Sequence, residues 1–126
     1  MRANLKQRVA QVEAWLREHF PTPYPVIVRW SPRIAGDCFG DCYWSSPNVV
    51  VRLSGRRCRE RAIAIETLLH EWAHAIVMPN ERLHRQLKRC GALQEHPDEF
   101  WIAYGRIYRL YYDLGGCEES QRTEVA

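Results

Sequence analysis

A chain of 126 residues, 46% hydrophobic and 26% charged, is long enough to form one domain around its own apolar core without disulfide staples. Its net charge of +3, from 18 basic and 15 acidic residues, is too small to imply a nucleic-acid partner by itself. The odd count of five cysteines argues against a secreted disulfide framework. The charged N-terminal stretch does not read as a signal peptide and no apolar run is long enough to cross a bilayer, so the expectation is a reducing cytoplasm.

Leu5, Val9, Val12, Leu16 and Phe20 recur at helical spacing and predict a helix over residues 3–20, stopped by the prolines of PTPYP. VIVRW (Val26 to Trp30) is β-branched and aromatic and reads as a strand. SPRIAGDCFGD is rich in turn residues and leads to a second strand near Cys42 to Ser45. SPN then turns the chain into VVVRLS, a third strand from Val49 to Ser54. Three strands joined by short connections predict an antiparallel meander. From about Arg59 the pattern is helical through Met78, where Pro79 ends it. Asn80 is placed to cap a further helix from Glu81 to Arg89, with Gly91 as its stop. A last helix is expected from Pro97 to Asp113, and Gly105 inside it suggests the close approach of another backbone. GGCEESQRTEVA reads as a flexible tail. The expected organisation is one α+β domain over residues 1–114 and a tail over 115–126.

The chemistry concentrates in TLLHEWAHAIV, Thr67 to Val77. On a helix, His70 and His74 share a face with Cβ atoms roughly 5–6 Å apart, so both imidazoles can reach one ion. Glu71 is turned about 100° away and borders that face, where a general base belongs. A shuffled chain of this composition shows His-Glu-x-x-His roughly one time in seventy, so the helical context has to carry part of the argument. It does: among Leu69, Ala73 and Ala75, two unpartnered histidines would cost desolvation. A catalytic zinc site usually takes three protein ligands. Val77 and Asn80 stand where the extended metzincin pattern needs glycine and histidine, so the third ligand lies elsewhere. The candidates are His84, Glu95, His96, Asp98 and Glu99.

Three segments in order resemble the SprT-like (Spartan-type) zinc metalloprotease domain. AGDC (Ala35 to Cys38) with VVVRLS resembles its Ala-Gly-x-Cys turn and following strand, TLLHEWAHA its active-site helix, and HPDEF (His96 to Phe100) its His-Gly-Pro-Glu-Phe motif. The resemblance covers roughly residues 5 to 110. It implies a zincin-like fold with an N-terminal helix, a small three-stranded antiparallel sheet, the His-Glu-x-x-His helix and further C-terminal helices. It also implies Zn²⁺ as cofactor, with His70, His74 and His96 as ligands and Glu71 as base. One departure is Pro97, which stands where that motif has glycine and stiffens the backbone beside His96.

The expected activity is that of a zinc-dependent endopeptidase. Glu71 takes a proton from a zinc-activated water as it attacks a peptide carbonyl, then passes it to the leaving amine. Tyr104, which shares a face of the last helix with Tyr108, is a candidate second donor to the oxyanion. Relatives brought in by the resemblance act on proteins bound or crosslinked to DNA. Here a nucleic-acid contact would come from the arginine clusters Arg52, Arg56, Arg57, Arg59, Arg61 and Arg82, Arg85, Lys88, Arg89. Two alternatives are a gluzincin-type peptidase with Glu95 or Glu99 as third ligand, and a zinc-stabilised non-catalytic binding or regulatory module. Cys38 reads as a small buried residue in a tight turn, with an extra metal contact or a redox role as its functional alternatives.

Overall fold

The computed structural model describes residues 3–125, so Met1, Arg2 and Ala126 of the expected domain and tail lie outside the described residues. Helix α1 (Leu5–His19) starts in a capping box: Asn4 Oδ1 accepts from the Gln7 amide, and Gln7 Oε1 accepts from the Asn4 amide, both at 2.9 Å. Its inner stripe of Val9, Val12, Trp15 and Leu16 is buried, as the spacing predicts.

Three strands follow, β1 (Val26–Ser31), β2 (Gly40–Ser45) and β3 (Asn48–Ser54). Their order across the sheet is β1-β3-β2, with β2 antiparallel and β1 parallel to β3. The antiparallel meander is therefore corrected to a mixed sheet. Ser31 pairs with Ser54 and Gly40 with Leu53, so β1 ends and β2 begins at the same end of β3. Residues 32–39 bridge across that end, a span of about 10 Å at ~4.8 Å per strand. The most apolar strand thus takes the middle: Val49, Val50, Val51, Leu53 and Ser54 of β3 are all buried. A meander would have left it on an edge.

Helix α2 (Arg61–Ile76) packs against β2 and β3 on one side and against α1 on another. Its buried side chains include Ala64, Ile65, Leu68, Leu69, Trp72 and Ala73. Helix α3 (Glu81–Arg89) has the bounds its caps predict, with Asn80 Oδ1 accepting from the Leu83 amide at 2.8 Å. Helix α4 (Asp98–Tyr108) lies against α2 and continues into a π-helical turn over Arg109–Asp113. No helix among the described residues is long and apolar enough to cross a membrane.

The expected flexible tail is instead a fifth helix, α5 (Gly116–Gln121), packed on α1. Two contacts hold it. Gly116 sits so close to Trp15 that a Cβ would come within 2.4 Å of the indole. Buried Arg8 of α1 donates to Tyr111 Oη at 2.8 Å, Ser120 Oγ at 3.0 Å and the Cys117 carbonyl at 3.3 Å. Neither contact has a local sequence signal, which is why GGCEESQ read as tail.

Candidate metal centre and catalytic cleft

α2 carries His70, Glu71 and His74 in its last two turns, with the sheet behind them. His96 comes from the turn just ahead of α4 and reaches back over α2. The ring centroids of the three histidines lie 5.0 Å (His70–His74), 5.3 Å (His70–His96) and 5.1 Å (His74–His96) apart. One nitrogen from each lies within 4.8 Å of the other two, and His70 Nε2 and His96 Nε2 are 3.3 Å apart. Tetrahedral bonds of ~2.0–2.1 Å to zinc require ligand atoms ~3.3 Å apart, so the donor set fits such an ion in number, chemistry and spacing.

Packing presents the rings to one another. Phe100, fully buried in the first turn of α4, stacks on His74 with ring centroids 4.3 Å apart and meets His70 edge-on at 4.9 Å. Pro97 is the N-cap of α4, and its carbonyl accepts from the Phe100 amide at 3.0 Å. The proline that replaces glycine here is thus part of the turn that brings His96 over His70. Burial lowers the pKa of His70, and neighbouring His96 lowers it further. It takes His74 down to about 4, with His70 and His96 adding to the effect. Both imidazoles are therefore neutral at physiological pH, with a lone pair free for a metal.

Glu71 is 5% exposed, and its Oε2 has no hydrogen-bond partner among the described residues. Burial, then the charges of Asp41 and Glu95, push its carboxyl up to about 8. An unpaired buried carboxyl is costly, but a cation held by the adjacent histidines would offset that cost. Tyr104 faces His70 edge-on with ring centroids 5.4 Å apart, and burial raises its hydroxyl pKa. Tyr104, the three histidines, Glu71, Phe39 and Gly40 line one cavity of about 490 Å³.

The other third-ligand candidates do not join the histidine group. Glu95 is exposed and stands between this cavity and a neighbouring one of about 520 Å³. His84 and Glu99 line only the second cavity, and Asp98 is exposed in the first turn of α4. Cys38 is exposed, not buried: Gly36 and Asp37 both take positive φ, 76° and 55°, and carry the turn out to the rim of the second cavity.

Sequence reasoning missed Gly40 and Phe100. A Cβ at Gly40 would lie 2.7 Å from Thr67 Cγ2 and 3.2 Å from Glu71 Cγ, so glycine lets β2 lie directly against the base. The glycine was visible but read as turn material. Phe100 was visible within HPDEF, but only the fold shows it beneath the rings.

The family model for the SprT-like family matches residues 5–104. The chain belongs to the SprT-like family. The match takes in α1, the whole sheet, α2, His96 and α4 as far as Tyr104, and stops short of the π-helical turn and α5. A comparison with curated proteins gave no match. Family membership is consistent with a metalloprotease-like domain, and the histidine group supplies a place for a metal within it.

Proposed function

We propose that this SprT-like domain is a zincin-like zinc metallopeptidase that cleaves peptide bonds, with His70, His74 and His96 as ligands and Glu71 as general base. The observation that carries the reading is the convergence of three imidazole nitrogens beside a buried carboxyl that has no partner of its own. A site that only held zinc would have no use for that carboxyl, which speaks against a non-catalytic module.

Zinc bound there supplies a Lewis acid and activates water at neutral pH. Glu71 Oε2 takes the proton from the attacking water and returns it to the leaving nitrogen. The Tyr104 hydroxyl, which lines the same cavity, donates to the carbonyl oxygen as charge develops on it. β2 is an edge strand that lines both cavities through Gly40, so an extended substrate can add to it beside Glu71.

The reading is tested by measuring zinc per chain and proteolysis for wild type, Glu71→Gln and His96→Ala. Glu71→Gln is expected to keep zinc and lose proteolysis, and His96→Ala to lose zinc. Full zinc affinity and activity in His96→Ala would remove the third-ligand assignment, and proteolysis by Glu71→Gln would remove the base.

Action on DNA-associated proteins is part of the proposal through the clustered arginines. Several of these are already paired: Arg52 with Asp41, Arg56 and Arg57 with Asp37, and Arg85 with Glu81. DNA binding is therefore expected to be weak and steeply salt-dependent, and its absence at low salt would remove the idea.

A further inference from the structure

Gly105 stands in the interior of α4, where glycine costs about 1 kcal/mol relative to alanine. The sequence suggested that a neighbouring backbone requires it. The structure corrects that: a Cβ at Gly105 meets nothing within 4 Å. The fold gives no reason for the glycine.

The open space above Gly105 has walls. Trp101 one turn before it, Tyr104 beside it, Tyr108 and Arg109 one turn after it, and Asp113 beyond them line an open surface groove of about 280 Å³. That is below the ~300 Å³ at which small-molecule pockets begin and suits a single large side chain. Trp101 is 57% exposed and Tyr108 41%, so two of the walls are aromatic surface open to water. Five of the eight exposed large hydrophobic residues among those described fall between residues 101 and 114. Two of them, Trp101 and Tyr108, line the groove itself, and a contiguous exposed apolar patch is a mark of a binding surface.

The groove adjoins the metal cleft. Tyr104 lines both, and the Trp101 ring lies 5.4 Å from the His96 ring. A polypeptide that crosses the histidines and continues along α4 would pass Trp101 and Tyr104, which flank Gly105. Arg109 and Asp113 both line the groove, so it offers no net formal charge to recruit a phosphate. Its rings favour an aromatic or branched aliphatic partner.

We propose that the groove over Gly105 is the subsite for one large apolar side chain of the substrate polypeptide, on the α4 side of the bond to be cut. Gly105 is glycine because that side chain occupies the space a Cβ would narrow. The proposal rests on the peptidase reading for its place in a reaction, but its binding step can be measured without cleavage.

The test uses Gly105→Leu and Trp101→Ala, each loaded with zinc. Gly105→Leu adds a good helix former into open space, so its melting temperature is expected to match or exceed wild type and its zinc content to be unchanged. Two readouts follow. The first is binding, by fluorescence anisotropy, of labelled Gly/Ser-rich peptides carrying one Phe or one Ala at a scanned position, in the Glu71→Gln background. Phe is expected to bind about tenfold or more tighter than Ala at one position, and both variants are expected to abolish that preference. The second is mass-spectrometric mapping of cuts in unfolded casein. Wild type is expected to favour large apolar residues at one fixed distance from the cut, and Gly105→Leu to lose that preference. An unchanged Phe preference in both variants overturns the subsite. If wild type cuts nothing, the peptidase reading fails while the anisotropy comparison still decides the groove. Displacement of the Phe peptide by a short single-stranded oligothymidylate that itself needs Trp101 and an open Gly105 would assign the groove to nucleic acid and overturn the proposal.

Discussion

Replacing Glu71 by glutamine should change how the metal-free chain responds to pH. The wild-type carboxyl is held at about 8 in the folded chain, against an ordinary value of 4.5, chiefly because it is buried. Below pH 4.5 the group is protonated whether the chain is folded or not, and it costs nothing. Between 4.5 and about 8 the unfolded chain releases a proton that the folded chain keeps, so stability falls as pH rises, by ~1.4 kcal/mol per pH unit. Above about 8 both states are ionised and the full cost remains. Across that window it amounts to ~5 kcal/mol, a ceiling that water entering the site reduces. Against a typical total of about 5–15 kcal/mol, a cost of that size is large enough to read in a denaturation experiment. Glutamine keeps the shape without the charge. Urea denaturation of both proteins in chelator, from pH 5 to 8.5, should therefore show a gap that widens with pH in favour of Glu71→Gln. Adding zinc should narrow the gap, because a nearby cation favours the carboxylate. A gap of constant size across the window would refute the burial argument.

His74 works in the opposite sense. Its folded value of about 4 lies below its ordinary 6.5, so its contribution is complete above pH 6.5 and is lost as pH falls toward 4. His74→Asn should flatten the acid limb of metal-free stability, as read by thermal melts from pH 4 to 7. Gly40→Ala drives a methyl into Thr67, the Arg52 carbonyl and Glu71. It should cost ~1–3 kcal/mol in urea denaturation and depress proteolysis while zinc per chain stays near wild type. Gly116→Ala meets Trp15 at 2.4 Å, the Leu110 carbonyl at 2.7 Å and Tyr111 Cα at 2.8 Å. It should destabilise by a similar amount and raise amide exchange in α5 and the N-terminal half of α1; unchanged exchange there would contradict the packing described.

Features set by neighbours in the chain were legible from the sequence. Helical periodicity placed α1 and α2, and the Asn80 cap with Gly91 beyond it bounded α3 at Glu81–Arg89. The four-residue spacing of His70 and His74 put two imidazoles on one face before any fold was known, because one turn of helix dictates it. The motif order around that helix named the family, and the family model bears it out.

Other features depend on contacts far apart in the sequence, and only tertiary structure decided them. The mixed sheet arises because β3 is the strand best buried in the middle, a competition between strands that no single segment records. α5 exists through Trp15 and Arg8, about a hundred residues away. The approach of His96 to His70, the burial that leaves the Glu71 carboxyl without a partner, and the open groove above Gly105 likewise follow from how α2, α4 and the sheet edge meet. Local spacing presents two histidines on one face. Packing alone brings the third to them and buries the carboxyl beside them.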